Sequence, residues 1–153
     1  HSLSKRSNLP GMRSGFVAGD ANLLARFREF RNVAGPQLPL PIAAVSTAAW
    51  SDEKHVEANR DLYGEKFEIA RAKIGNRFGF RIPDGGFFLW LDVGDGEEAT
   101  RKLWREAHVK VLPGAYVCRE TDGINTAERY IRVALVHDEQ TTREGMTRLA
   151  QVL

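Results

Sequence analysis

The stretch Ser2-Leu-Ser-Lys-Arg-Ser-Asn-Leu-Pro-Gly-Met-Arg-Ser-Gly15 concentrates four serines, two arginines and one lysine near the start of the sequence. Pro10-Gly11 is a turn signal, and the small polar residues around it predict a loop. A lysine in such a loop, here Lys5, can attack a carbonyl group once desolvation or a nearby cation activates its amine. The Ser2 hydroxyl and the Arg13 guanidinium are suitable donors to a phosphate. Each residue alone fits a solvated basic loop, so only their combination indicates a site.

The composition is that of an ordinary globular domain. The chain has 153 residues, of which 42% are apolar and 27% are charged, which argues against disorder and fibrous folds. A formal net charge of +2 does not indicate a nucleic-acid or membrane partner. Cys118 is the only cysteine, so an intrachain disulfide is excluded and a cytoplasmic location is expected. The four histidines lack metal-ligand spacing, and no metal site is predicted.

The second half of the chain predicts a compact α+β unit over about residues 76–153. Apolar runs and turn signals predict strands at 78–82, 87–93, 109–112 and 130–136. Asp95 begins a predicted helix that extends to residue 107, and Asp138 caps a last helix. The three tryptophans are expected to lie in the core (Trp50, Trp90 and Trp104).

The first half does not predict a self-sufficient domain. Its pattern indicates a short strand at 13–18, helices at 22–31 and 42–50, and a long helix over 52–74 that Ser51 caps. The proline-rich segment 35–41 cannot form regular structure. It is either a linker or an ordered connection that lies on a neighbour's surface.

Arg132 stands out in a strand that is otherwise apolar, Ile131-Arg-Val-Ala-Leu-Val136. Strand alternation places its side chain on the face of Ala134 and Val136. A partly buried guanidinium needs an anion, because an unpaired buried charge is costly. The sequence leaves two sources of that anion open: an internal Asp or Glu, or a bound ligand.

The Ser2–Phe16 segment closely resembles the lysine motif of class I/II aminotransferases, the fold-type-I enzymes that use pyridoxal 5′-phosphate. The resemblance continues through three further segments and covers essentially the whole chain: Pro83-Asp-Gly-Gly-Phe-Phe-Leu-Trp-Leu91, Val111-Leu-Pro-Gly114 and Tyr130-Ile-Arg-Val-Ala-Leu135. Within the family, Ser-Lys-Arg-Ser-Asn-Leu-Pro-Gly is most similar to succinyldiaminopimelate aminotransferases. The Ser-x-x-Lys pattern of penicillin-binding enzymes is also present, but its Lys-Thr-Gly and Ser-Asp-Asn companions are absent from the sequence.

The resemblance implies a role for four residues. Lys5 matches the catalytic lysine that bonds covalently to pyridoxal phosphate, and Ser2 and Arg13 match the residues that bind the cofactor phosphate. Arg132 matches the arginine that binds the substrate α-carboxylate. The implied substrates are an amino acid and a 2-oxo acid, and the implied assembly is a homodimer.

The resemblance also implies the fold, the C-terminal part of the fold-type-I α/β architecture. Residues 55–153 are expected to form its small α+β domain, a small mixed sheet covered by helices. Residues 1–54 are expected to be a remnant of the large cofactor-binding domain, with 35–41 as a dimer-contact loop.

The large N-terminal part of a typical member has no counterpart in this sequence, so we expect a piece of a longer chain that is inactive alone. Two other functions stay open: another pyridoxal-phosphate enzyme of the same fold, such as a carbon–sulfur lyase or a decarboxylase, and a non-catalytic folding or interaction domain.

Overall fold

The structure is a computed structural model that describes residues 1–35 and 37–153. The chain divides into two compact units, His1–Arg60 and Asp61–Leu153. The predicted dimer-contact loop 35–41 includes Pro36, which lies outside the described residues. No helix among the described residues is long and apolar enough to cross a bilayer.

The first unit is built from helices. They are α1 (Leu3–Arg6), α2 (Ala21–Ala34), α3 (Leu40–Ser51) and the beginning of α4 (Lys54–Ile74), with a 3₁₀ turn over Pro10–Met12. The Asp20 carboxylate caps α2 by accepting from the Asn22 and Leu23 amides, both at 3.0 Å. A proline in the first turn of α3 has no helical amide bond to lose.

Four local predictions in this unit are wrong. Leu40 and Pro41 belong to the segment predicted to lack regular structure, but they begin α3, because a proline is tolerated in the first turn of a helix. The segment predicted as a loop contains the one-turn helix α1, because Ser2 caps it and the Leu3 amide donates to the Ser14 carbonyl. The strand predicted at 13–18 reduces to a single antiparallel bridge, Ser2 to Gly15. Ser51 ends α3 instead of capping the long helix, and the Asp52 carboxylate accepts from the Lys54 amide at 3.0 Å.

The second unit contains a three-stranded antiparallel sheet. Its strands are β1 (Phe88–Asp92), β2 (Leu112–Pro113) and β3 (Tyr130–Ala134), in the order β1-β3-β2. The predicted small sheet is confirmed, but both of its described pairings are antiparallel instead of mixed. The apolar runs indicate where strands lie, whereas their direction depends on the connections between them.

Helices cover this sheet. Besides the later part of α4, they are α5 (Gly96–Lys102), which a π-helical turn extends through Leu103–Ala107, and α6 (Glu139–Val152). The predicted caps are confirmed: Asp95 accepts from the Glu98 amide at 2.9 Å and Asp138 from the Thr141 amide at 2.8 Å. The strand predicted at 78–82 is instead a 3₁₀ turn at Arg77–Gly79.

One apolar cluster fills the space between the sheet and these helices. Its fully buried members come from the sheet and from the helices that cover it: Ala70, Leu91, Leu103, Ile131 and Leu149. Gly114 permits a close approach of the chain to β3, because a Cβ there would lie 2.9 Å from the Tyr130 carbonyl oxygen. The unit therefore has a core of its own.

Candidate active site

The Ser2–Gly15 segment closes on itself. The Leu3 amide donates to the Ser14 carbonyl at 3.1 Å, and the Phe16 amide donates to the His1 carbonyl at 2.9 Å. Gly15 is required at this crossing, because a Cβ would lie 2.5 Å from the His1 carbonyl oxygen. The closure brings the residues before Lys5 next to those that follow Arg13.

Ser2 is both a cap and a hydroxyl donor. Its side chain accepts from the Ser4 amide at 3.1 Å and lies 3.3 Å from the Ser14 carbonyl oxygen. Lys5 is the third residue of α1 and its side chain is exposed. The segment therefore places the hydroxyl that caps α1 at the N-terminal end of the turn that contains Lys5.

Arg13 follows the 3₁₀ turn in a left-handed conformation, with φ 48°. This conformation is uncommon for a residue with a side chain, and such strain is concentrated at functional positions. Its exposed guanidinium donates to the Pro10 carbonyl at 2.9 Å. That bond uses one of five donors, so most of the guanidinium is available to an anion.

A buried pair of serines supports the backbone next to Arg13. The Ser46 hydroxyl of α3 lies 2.7 Å from the Ser14 hydroxyl and 2.6 Å from the Ile42 carbonyl oxygen. Both serines are nearly inaccessible to solvent. Because each buried hydroxyl has a partner, the pair joins the segment to α3 without an unsatisfied polar group.

Arg132 lies in β3, in the second unit, opposite Trp90 on one side and Leu112 on the other. Its half-buried guanidinium lies over the Phe88 ring, 4.5 Å from the ring centroid. Among the described residues, no ion pair joins Arg132 to an Asp or Glu. Of the two anions that the sequence left open, the internal carboxylate thus finds no support in the described part of the chain.

The face of the sheet around Arg132 was not predicted correctly. Trp90 is 43% exposed and stacks on Tyr130 at 5.5 Å, whereas the sequence indicated a core position. Trp104 is also exposed. The alternation in β1 is the signal that could have revealed this, because Leu89 and Leu91 occupy the buried face and Trp90 must face the other way.

One perturbed carboxyl lies in the same unit as Lys5. A hydrogen bond from the His55 ring, together with the Lys54 amide, lowers the pKa of Asp52. Asp52 Oδ1 accepts from the Lys54 amide at 3.0 Å, and Oδ2 lies 2.9 Å from His55 Nδ1. Among the described residues, no group of three or more His, Cys, Asp or Glu could hold a metal ion.

Comparison with known proteins identifies the family. The family described as aminotransferase class I and II matches residues 1–149. The chain belongs to this family. A comparison with solved structures confirms the predicted fold: an aminotransferase from Neisseria meningitidis Z2491 is 45% identical, with a TM-score of 0.88 over 98% of this chain.

Two curated relatives are transaminases that are named for different substrates. The 4-dedimethylamino-4-oxo-anhydrotetracycline transaminase OxyQ of Streptomyces rimosus is 36% identical over 97% of this chain. The LL-diaminopimelate aminotransferase of Maridesulfovibrio salexigens is 28% identical over 99% of it. The chain spans 40% and 39% of the lengths of these two relatives, and 39% of the Neisseria chain.

Class I and II aminotransferases imply pyridoxal 5′-phosphate as cofactor. The donor set of the Ser2–Gly15 segment fits this group, because a hydroxyl and a guanidinium suit its phosphate and an exposed amine suits its aldehyde. The fit involves Ser2, Lys5 and Arg13 of the first unit.

Proposed function

We propose that this chain is the C-terminal part of a pyridoxal-phosphate-dependent aminotransferase, which moves an amino group from an amino acid to a 2-oxo acid. The observation that carries the proposal is the closed segment that contains Ser2, Lys5 and Arg13, in a chain of the aminotransferase family. Within it, residues 1–54 would belong to the large domain and 55–153 to the small one. The complete protein would act as a homodimer in the cytoplasm.

Each proposed residue has a separate task. Ser2 and Arg13 bind the phosphate dianion, Arg13 through the fork of its guanidinium. Lys5 holds the cofactor covalently through Nζ and, when released, takes the α-proton of the substrate at the same atom. Arg132 binds the α-carboxylate of the amino acid and so orients its Cα–H bond.

Pyridoxal phosphate, when bound, supplies the electron sink for that deprotonation and stores the amino group between the two half-reactions. Because Lys5 serves both half-reactions in turn, ping-pong kinetics are expected. A lyase or decarboxylase of the same fold would share these residues and differ in its product, so identification of the 2-oxo acid separates these enzymes from a transaminase.

The substrate is a finer proposal. The motif Ser-Lys-Arg-Ser-Asn-Leu-Pro-Gly favours succinyldiaminopimelate as amino donor, and one relative is named for the related LL-diaminopimelate. The test is formation of 2-oxo acid from succinyldiaminopimelate by the complete protein, with 2-oxoglutarate as acceptor. Turnover of common amino acids but not of this donor would refute the substrate and leave the reaction class intact.

Substitution of the lysine tests the reaction class. Lys5→Ala in the complete protein should abolish transamination while cofactor still binds non-covalently, because Ser2 and Arg13 remain. Borohydride treatment of the wild-type protein with pyridoxal phosphate should label Lys5 in a peptide map. Near-normal turnover in Lys5→Ala, or labelling of another lysine, would contradict the proposal.

A further inference from the structure

The residues that directly follow Lys5 are attached to the junction between α3 and α4. Arg6 donates to the Ala49 carbonyl at 2.8 Å, pairs with Glu53 and lies over the Trp50 ring, 4.8 Å from the centroid. Three partners of one side chain thus come from five consecutive residues of the junction. The Arg6 side chain therefore attaches the end of α1 to one short part of the chain.

Ser7 continues this attachment through a relay of three side chains. Its Oγ lies 2.8 Å from His55 Nε2, and His55 Nδ1 lies 2.9 Å from Asp52 Oδ2. Because an ionised carboxylate can only accept, Asp52 requires a proton on His55 Nδ1. In the neutral ring, Nε2 then carries the lone pair that accepts the Ser7 hydroxyl proton. The lowered pKa of Asp52 agrees with this arrangement, since the His55 hydrogen bond is its largest cause.

The helix α1 depends on such contacts. It has only four residues, and a single helical turn is unstable in isolation. The entropy lost when its backbone is ordered exceeds what the hydrogen bonds of one turn contribute. Its N-terminal end is held by the Ser2 cap and by Leu3, which is fully buried. Its C-terminal cap residue is Ser7, whose amide donates to the Leu3 carbonyl at 3.1 Å. Lys5 lies between these two supports.

We propose that His55, oriented by Asp52, is a positioning residue that holds Lys5 in place through the hydroxyl of Ser7. The inference rests on the proposed function, because it assigns His55 to the support of the lysine that carries the cofactor. His55 lies outside the lysine motif, 48 positions after Ser7.

Ser7, His55 and Asp52 are joined in the same order as the serine, histidine and aspartate of a serine-hydrolase triad. A catalytic role as such a triad is therefore the alternative to a supporting role. In such a triad the aspartate is buried, which keeps its interaction with the imidazole strong. The Asp52 side chain here is 53% exposed. Arg6 also donates to the Ser7 hydroxyl oxygen, at 3.4 Å. Exposure of the carboxylate and use of the hydroxyl oxygen both favour support of α1 over nucleophilic attack.

A matched pair of variants in the complete protein tests the inference. His55→Gln places an amide near the position of Nε2 and retains a partner for Ser7, whereas His55→Asn places it near Nδ1 and retains only Asp52. His137→Gln serves as control, because His137 is exposed and its side chain takes no part in the proposed site. Ser7→Ala removes the hydroxyl without changing the ring and supplies the answer if His55→Asn fails to fold.

The first measurement is the rate at which pyridoxal phosphate and borohydride label Lys5, followed by peptide mass spectrometry. His55→Asn and Ser7→Ala should slow labelling by about ten- to a hundredfold, the usual effect of a small misplacement of a reacting group. His55→Gln and the control should stay close to wild type. The second measurement is amide hydrogen exchange, which should rise at residues 3–8 in the two impaired variants and remain unchanged in the second unit.

The results separate the two proposals. Wild-type labelling rates and unchanged exchange in His55→Asn and Ser7→Ala would overturn the positioning role. Ester hydrolysis by the wild-type protein that His55→Asn abolishes would also overturn it, in favour of the triad. Labelling of a lysine other than Lys5 in the wild-type protein would instead refute the proposed function, and the exchange measurement would still decide whether His55 supports α1.

Discussion

At the scale of the residue, Arg132 shows how a strand presents a charge on one face. Ile131 and Val133 on either side of it are buried, whereas Arg132 and Tyr130 are half-buried and Ala134 is exposed. The Arg132 guanidinium lies over the Phe88 ring. A cation that packs on an aromatic face, and that has no carboxylate partner among the described residues, is well suited to a carboxylate ligand.

Arg132→Ala in the complete protein should chiefly weaken amino-acid substrates. Loss of a partly desolvated charge pair with the substrate carboxylate costs roughly 2–5 kcal/mol. The measurement is kcat/KM with an amino acid, alongside cofactor affinity, which should not change. Arg129→Ala is the matched control, because Arg129 is exposed and forms a surface ion pair with Asp92 at 3.0 Å. Equal losses in the two variants would argue against the assignment.

At the scale of the element, α6 combines a polar start with an apolar stripe. Asp138 accepts from the Thr141 amide and side chain, and these bonds lower the pKa of its carboxyl. Thr142, Met146 and Leu149 form the buried side of the helix. The cap determines where the helix begins and the stripe determines which face it buries, so the two can be tested separately.

The Asp138 cap should make the start of α6 sensitive to acid. Because the folded pKa lies below the ordinary value of about 3.8, the cap stabilises the fold fully above that value. The contribution is lost as the pH falls through the folded pKa. Asp138→Ala should therefore lower the denaturation midpoint at neutral pH, and the difference from wild type should shrink below about pH 3.8. A difference that stays constant over that range would contradict this account of the cap.

Burial should decide the cost of a leucine truncation in the second unit. Leu149 is fully buried in the core, whereas Leu62 of α4 is 49% exposed. Leu149→Ala should reduce the free energy of unfolding by about 2–5 kcal/mol, through lost apolar contact and the cavity left behind. Leu62→Ala should cost no more than about 0.5 kcal/mol, as surface substitutions do. Urea denaturation followed by circular dichroism measures both.

At the scale of the whole molecule, the two units differ in how they use their apolar residues. The second unit has a core, in which buried apolar residues from its sheet and its helices form one cluster. In the first, α2 has no buried residue, and large apolar side chains of α2, α3 and the segment before α3 are exposed: Leu23, Phe27, Phe30, Val33, Leu38, Leu40 and Val45. So large an apolar surface is characteristic of a region that other parts of a protein or assembly cover.

If the predicted dimer forms, this exposed apolar surface is expected to be part of its interface. We expect residues 35–41 and the helix that follows to contact a second copy of the complete protein. Leu40 is 84% exposed, so Leu40→Glu should leave the fold of one copy intact while it places a charge in the contact. Sedimentation should show a dimer at micromolar concentration for wild type and at least about a tenfold weaker association for the variant. Ile124→Glu, at a 63% exposed position in the second unit, is the control.

A monomeric wild-type protein at that concentration would refute the dimer. If Leu40→Glu associates as strongly as wild type, the protein is still a dimer, but residues 35–41 do not belong to its interface.

The sequence by itself determined the features that depend on neighbours along the chain. The helices α2 and α6 follow from local periodicity, and α3 follows from its run of small residues. Asp95 and Asp138 cap their helices because the accepting carboxylate lies three residues before its donor. The face of Arg132 follows from alternation in one strand. The motif that contains Ser2, Lys5 and Arg13 is contiguous, so its presence could be recognised without a structure.

Only the tertiary structure decided the features that depend on distant residues. The turn of α1 forms where a loop was predicted because Ser2, Leu3 and Ser7 find partners outside the helix, in Ser14 and in His55. The sheet order β1-β3-β2 likewise places the last strand between the two earlier ones. Hydrogen bonds between residues 48 positions apart leave no periodic trace in the sequence, and so His55 could not be assigned to Lys5 before the fold was known.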